Sequence, residues 1–491
     1  MSSTVEQVRW TPALARLMAG LMLSLFVAAI DSTVVGTALP TIARELRSFE
    51  LYPWIVAGYL ITATTTVPIW GRLADLHGRR RVLLAGISIF VGASALCAAS
   101  PSMPLLIAFR AVQGIGAGCL QPLVFTVVAD VFPFRQRARL QGFFGSMWAI
   151  AAIVGPGLGA VFVSTIGWRW IFTVNIPIGL IATALIWGYR ENRPDGAAGG
   201  AIDFRGALLL TAGVTLLLVG LGTGTRDATP IWPVAALAIA VLGGFAAFEW
   251  RTPNPTVPVH LLRHRVIGPA ILIASLAGTL MFGVTAYVPL WVQSVQGASA
   301  YAAGVAVGAM SLGWPIMSAI SGFMMVRVGY QRLVVAGALA LLAGSVTLAV
   351  TPAAAGAEWT GAATLVIGLG MGTFSAPLLI VIQSSVDWER RGAATGLNQF
   401  SRTIGGAVGV AAMGVLLQSH VAAVGDPLRA REALRDGLQA DFTVLVVLAA
   451  AVLVAGVALL AASRARPADA PAPERASPAS SLVETDRVED R

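Results

Sequence analysis

Gly71-Arg72-Leu73-Ala74-Asp75-Leu76-His77-Gly78-Arg79-Arg80-Arg81 lies between two apolar runs, and part of its pattern returns 251 residues later. Gly71, Gly78, Arg81 and Gly86 recur as Gly322, Gly329, Arg332 and Gly337. A second set, Gly114, Gly116, Gly118, Gly142 and Gly155, recurs 254 residues on as Gly368, Gly370, Gly372, Gly396 and Gly409. Glycines that keep their spacing mark places where the backbone turns tightly or helices approach closely. The chain reads as a duplicated unit, and internal repeats with a site at their interface are the architecture of rocking secondary transporters.

Composition fixes the solvent. Of 491 residues 56% are hydrophobic and 12% charged, against about a quarter charged in a soluble domain. A single aqueous core stops growing near about 250 to 300 residues, so the bilayer must take the apolar surface. Fourteen apolar stretches, from 14–39 and 55–70 to a last one at 442–462, approach the roughly 20 residues needed to cross a bilayer. The first is far longer than a signal-peptide core and reads as a retained span. The expected fold is an all-α integral membrane protein of fourteen transmembrane helices, two six-helix repeats plus two inserted helices. Its divisions are 1–190 for the first six, 191–265 for the inserted pair and flanking loops, 266–463 for the last six, and 464–491 for a tail expected to be disordered.

All 33 basic residues are Arg. With no Lys, neither a Walker A loop nor a Lys Schiff base can be built. With both termini inside, 24 Arg lie on the cytoplasmic side, 7 outside, and two, Arg110 and Arg402, within spans. That bias sets orientation in the cytoplasmic membrane, and it accounts for the net charge of +9 without any nucleic-acid partner. Cys97 and Cys119 fall in apolar runs as small hydrophobes. His260 and His264 share a loop with no further ligands to complete a metal site.

Within the opening segment, Asp75 can face a helix N-terminus of the other half, where the dipole favours a carboxylate. Arg79 is then left to pair with Asp130. An Arg inside hydrocarbon, Arg110, needs a partner or a water-filled cavity, because its insertion costs about 2.5 to 3.5 kcal/mol or more. Asp31 is the only acid read well inside a span. Counted from their outer ends, Asp31 and Arg110 differ by roughly 5 Å in depth at 1.5 Å per residue, so the two can meet. A carboxylate whose proton affinity depends on conformation is what coupling requires.

The segment from Gly71 to Arg81 resembles the signature loop of the major facilitator superfamily, where it latches the cytoplasmic gate of the outward-facing state. In the second copy Val326 stands for Asp75, which implies a one-sided latch. Ile30-Asp31-Ser32-Thr33-Val34-Val35 through Pro40 resembles the helix-one signature of the fourteen-spanner drug:proton antiporters, in which this acid is implicated in protonation; Gly36 stands where Asn is common. Gly155, Pro156 and Gly159 resemble the antiporter motif of helix five, with Ala151 and Ala160 where Gly is frequent. Trp168 to Gly179, Glu249-Trp250-Arg251 and Phe400 to Gly406 also look like that family.

The resemblance implies a proton-coupled antiporter that exports amphipathic, drug-like molecules by alternating access. It would need no cofactor beyond the proton gradient and would act as a monomer among membrane lipids. Cavity candidates are Tyr59, Gln113, Tyr287, Trp291, Gln293 and Arg402, polar or aromatic residues in apolar surroundings. One acid among aromatic walls suits a lipophilic cation. Proton-coupled uptake of a metabolite is the alternative transport reading. A membrane enzyme or sensor would need a nucleophile or metal cluster, and the sequence offers none.

Overall fold

A computed structural model of the chain describes residues 10–48, 51, 53–191, 204–223, 231–252, 259–421 and 427–464. The tail beyond Arg464 lies outside the described residues. Among those described there is no strand. The first repeat contains α1 (Pro12–Glu45), α2 (Pro53–His77), α3 (Arg79–Ala98), α4 (Met103–Val131), α5 (Phe134–Thr165), α6 (Trp170–Thr173) and α7 (Asn175–Trp187). Then come α8 (Phe204–Thr223) and α9 (Ile231–Arg251). The second repeat contains α10 (Ile267–Leu290), α11 (Ala300–Val328), α12 (Tyr330–Ala349), α13 (Ala357–Ser384), α14 (Arg391–Val421) and α15 (Pro427–Arg464).

Helix starts follow local chemistry. Thr11 accepts the Leu14 amide at 3.2 Å with Pro12 in the first turn, and Ser299 accepts the Ala302 amide at 3.2 Å. Both spare an orphan N–H of the first turn. Hydroxyls inside the helices bond back to their own turn, as Ser24 does to the Gly20 carbonyl at 2.8 Å, which satisfies them where water is absent. The outer surface of the bundle is apolar. Leu208, Ile239 and Val454 are each about two-thirds exposed or more, as lipid contact requires.

Ten segments among the described residues are long and apolar enough to cross a membrane, with α6 and α7 together forming one of them, Trp170–Trp187. The protein is thus all-helical and multi-pass. Helices also stand at the other four expected positions (α2, α5, α8 and α9), but they do not meet that criterion. Polar groups explain two of these: α2 holds Thr62, Thr64, Thr65, Thr66 and Asp75, and α5 opens with Arg135, Arg137 and Arg139. In α8 the apolar part is the short stretch Leu208–Leu217.

The packing repeats itself. In the first half α1 packs on α5 and α7, α4 on α2 and α3, and α3 on α7. In the second half α10 packs on α14 and α15, α13 on α11 and α12, and α12 on α15. These are the same five pairings. The halves meet through α5 with α11 and α2 with α14, which the repeat exchanges with each other. Helices α8 and α9 pack on each other, and α8 also touches α2 and α14.

The repeated glycines serve one purpose twice. Gly114 and Gly118 lie against the α2 backbone while Gly116 lies against α3; Gly368 and Gly372 lie against α11 while Gly370 lies against α12. One helix can therefore touch two neighbours at backbone distance only without side chains on either flank. Gly78 (φ +92°) and Gly329 (φ +87°) both start the following helix from the left-handed region, which L side chains rarely adopt. A Cβ on Gly116 would sit 2.6 Å from the Phe90 amide nitrogen and 2.8 Å from the Gly86 carbonyl, backbone atoms that cannot move alone. Gly116→Val should therefore destabilise by at least the ~1 to 3 kcal/mol of ordinary overpacking. A lowered aggregation temperature in detergent checks this, and an unchanged one contradicts the close approach.

Candidate transport site and gate

Asp31 on α1 is fully buried and Arg110 on α4 is 2% exposed; Arg110 Nη1 lies 2.7 Å from Asp31 Oδ2. The other carboxylate oxygen accepts from Gln113 Nε2 at 2.9 Å and Asn175 Nδ2 at 2.8 Å. Gln113 also accepts from Arg110 Nη1 at 2.6 Å and donates to Ser94 Oγ at 2.8 Å. Arg110 and Gln113, three apart on one helix, share a face. Arg110 stacks on the Tyr59 ring at 4.1 Å, with Phe172 at 5.7 Å. Residues from six helices of one half, α1, α2, α3, α4, α6 and α7, thus gather around one carboxylate. Neutral amides at Asn175 and Gln113, and the Ser94 hydroxyl, complete a shell that the sequence reading of the ion pair left out.

At the Arg-rich end of the bundle, Asp75 accepts backbone N–H groups of Gly392 and Ala393, the first turn of α14, at 3.1 and 3.0 Å. A helix N-terminus carries orphan donors and partial positive charge, so the carboxylate is held across the two halves. Arg79, also fully buried, pairs with Asp75 at 2.8 Å and Asp130 at 2.9 Å. It further donates to the carbonyls of Ala74 at 3.0 Å and Trp388 at 2.7 Å, and lies 3.7 Å from the Trp388 ring centroid. Arg391 reaches Asp130 at 3.5 Å. Gly71 approaches the Gly392 carbonyl so closely that a Cβ would stand 2.6 Å from it. Glu191, absent from the sequence reading, accepts the amides of Arg79 and Arg80 at 2.8 and 3.2 Å and so caps α3. The halves are therefore joined at this end.

Between these two clusters a third polar group crosses the seam. Gln399 on α14 donates to Gln121 Oε1 on α4 at 2.7 Å and accepts from Arg402 Nη2 at 2.8 Å. The Arg402 guanidinium carbon lies 5.5 Å from the Trp314 ring centroid of α11, whose indole N–H donates to Ser375 Oγ at 3.0 Å.

The remaining candidates are placed differently. Gly155 in α5 meets Thr33 of α1, and Thr33 Oγ1 donates to the Ala151 carbonyl at 3.0 Å. The equivalent Gly409 meets Thr279, which donates to the Gly405 carbonyl at 2.7 Å. Pro156 lies within α5, and Gly159 is buried. Tyr287 and Trp291 sit in the packed hydrophobic cluster of the second half rather than on a cavity wall. Tyr287 Oη donates to the Val410 carbonyl at 2.6 Å, and Trp291 packs edge-on against Phe442 at 5.4 Å. Gln293 is exposed in the π-turn Trp291–Val295.

Asp31 is not the only acid deep in a span: Asp441 of α15, inside the apolar stretch Arg431–Ala461, is fully buried with neither oxygen hydrogen-bonded. Starting the last span at 442 had placed it outside. His264 is exposed, and its Nδ1 accepts the Val266 amide at 3.3 Å. Partial burial, then Arg390 beside His260 and Arg265 beside His264, holds both imidazoles below the usual histidine range. Among the described residues no three His, Cys, Asp or Glu side chains gather as metal ligands.

The Major Facilitator Superfamily profile matches residues 21–410, and the chain belongs to that superfamily of transporters. It is 34% identical over 409 residues to the multidrug transporter protein MdtP of Bacillus subtilis, covering 82% of this chain and 75% of that protein. To multidrug resistance protein 3 of the same bacterium it is 32% identical, covering 81% and 78%. To the efflux pump dotC of Dothistroma septosporum it is 30% identical, covering 82% and 70%. Among solved structures, the human organic anion transporter MFSD10 superposes with a TM-score of 0.65 over 92% of this chain and all of that one, at 18% identity, a likeness of fold.

Proposed function

We propose that the protein is a proton-coupled antiporter, which exports small amphipathic molecules across the cytoplasmic membrane by alternating access. It crosses that membrane fourteen times with both termini cytoplasmic, so that the Arg-rich end with its Asp75, Arg79 and Asp130 latch is the cytoplasmic gate. The divisions at 190, 265 and 463 then separate two rocking halves, the inserted pair and the tail.

The observation that carries this reading is the sealed carboxylate: Asp31 accepts three hydrogen bonds, one from a charged Arg110, inside a single half. Protonation removes Asp31's charge and turns an acceptor into a donor, leaving Arg110 uncompensated in an apolar interior. The network must then rearrange, and proton occupancy becomes tied to helix positions. One charge crossing the field supplies about 2.3 kcal/mol per 100 mV, enough to drive a useful gradient. The multidrug transporters among the relatives support export.

Everted vesicles from a pump-deleted host provide the test. Acidifying the lumen should drive fluorescent amphipathic dyes inward, and a protonophore should stop them. Dye leaving the lumen on acidification, or accumulating regardless of the gradient, defeats antiport.

A further inference from the structure

We propose that Arg402 is the recognition point of the transport site and that it takes the anionic group of an amphipathic organic anion, an aromatic carboxylate or sulfonate. The inference rests on the transporter reading above and deepens it by naming the charge class of the substrate.

Position comes first. Arg402 lies eleven residues into α14, which starts at the Arg-rich end, so its depth is about 16 Å at 1.5 Å per residue, half of a hydrocarbon core of roughly 30 Å. Gln121 lies ten residues from the same end on α4. The Gln121 to Gln399 hydrogen bond therefore spans the two halves near the midplane, where alternating access requires the substrate.

Charge balance comes second. The acids of the two polar clusters are all matched: Asp31 with Arg110, Asp75, Asp130 and Glu191 with Arg79, and Asp130 also with Arg391. Arg402 has no carboxylate within ion-pair distance among the described residues. Of its five N–H donors, one hydrogen bond is formed, to Gln399. The side chain is half-buried. A cation inside a membrane protein that lacks a counter-ion is costly, and a bound anion relieves that cost. Asp31 does not serve a cationic substrate in this conformation, since it is wholly enclosed and already paired. The anion proposed thus differs from the lipophilic cation that one acid among aromatic walls suggested.

Geometry comes third. A guanidinium presents two parallel donors that match a carboxylate or sulfonate. Trp314, its ring fixed by the bond to Ser375, stands beside that fork as an aromatic face for the apolar body. Gln399 accepts from Arg402 and donates to Gln121 of the other half, so both amides are positioning residues.

The test uses the full chain in nanodiscs with two probes of equal size, a naphthalenesulfonate and a naphthyltrimethylammonium. Binding is read by quenching of tryptophan fluorescence, and proton-driven flux of the same probes is read in proteoliposomes. The sulfonate should bind at least tenfold more tightly than the ammonium. Arg402→Gln should lose that preference, Arg402→Lys should keep part of it, and Arg402→Glu should reverse it, each variant eluting as a monodisperse species. Equal binding of both probes by the parent, or sulfonate binding indifferent to Arg402→Gln and Arg402→Glu alike, overturns the proposal. Arg402-dependent binding without proton-driven flux would instead sink antiport and leave the anion site standing.

Discussion

The double variant Asp31→Asn/Arg110→Gln reaches the membrane near the parent's level and loses proton-driven efflux, while either charge removed alone also lowers stability. Single removal leaves an uncompensated partner in a shell with almost no exposure, at a cost of about 3 to 5 kcal/mol. Neutralising both relieves that cost, because the oxygen of the introduced Asn still accepts from Gln113 and Asn175 while its NH2 group can donate to the carbonyl oxygen of the introduced Gln. The two readings of the pair then separate. A static packing bridge would be rescued in both stability and transport by its neutral replacement. A proton site would be rescued in stability only, since no group remains to take up and release the proton. Melting temperature and ΔpH-driven dye flux, measured on the same proteoliposome batch, decide between them. Efflux by the double variant within about threefold of the parent, less than the tenfold that 1.4 kcal/mol represents, would exclude Asp31 as the coupling acid.

What the sequence made legible follows from how few solutions a membrane interior permits. A charge in an apolar run needs a partner or a water-filled cavity, so Asp31 and Arg110 could be matched from depth alone. Glycines that recur at fixed shifts had to mark tight turns or packing contacts: Gly78 and Gly329 start α3 and α12 at positive φ, and Gly116 and Gly370 occupy equivalent notches against α3 and α12. Neutral amides carry no such obligation. Asn175, Gln121 and Gln399 show nothing in sequence that says which way they point, yet they join the charged residues into networks. Loop acids are equally silent: Glu191 caps α3 from 112 residues away, a contact that only the folded chain creates. Span limits were the weakest reading, because hydropathy falls gradually. Starting the last span one residue late left Asp441 outside it, and the aromatic choices Tyr287 and Trp291 fell in the core because burial and cavity lining favour the same residue types.

Arg79→Ala should open the Arg-rich end of the bundle and halt transport. Six interactions converge on this guanidinium: three carboxylates, Asp75, Asp130 and, at 4.0 Å, Glu191, with two carbonyls and the Trp388 ring. Once it is gone, Asp130 keeps Arg391 at 3.5 Å and Asp75 keeps two backbone amides, so the joint is weakened rather than erased. The loss falls on the closed arrangement. When α2 and α14 separate, the same carboxylates become hydrated and no longer need the Arg. A differential of about 3 to 5 kcal/mol approaches the ~5.5 kcal/mol that would carry a gate from 1:99 open to 99:1. Arg79→Lys should fall between, since an ammonium cannot fork to two acids or stack on Trp388. Thr395, 1% exposed beside the joint, serves as reporter. In everted vesicles Thr395→Cys should resist a membrane-impermeant maleimide in the parent background and label at least about tenfold faster with Arg79→Ala, a change corresponding to 1.4 kcal/mol or more. Cys97 and Cys119 are wholly buried and supply a low background. If labelling stays slow in folded Arg79→Ala protein, the convergence on Arg79 is packing alone, and closure at this end depends on Asp75 and the first turn of α14.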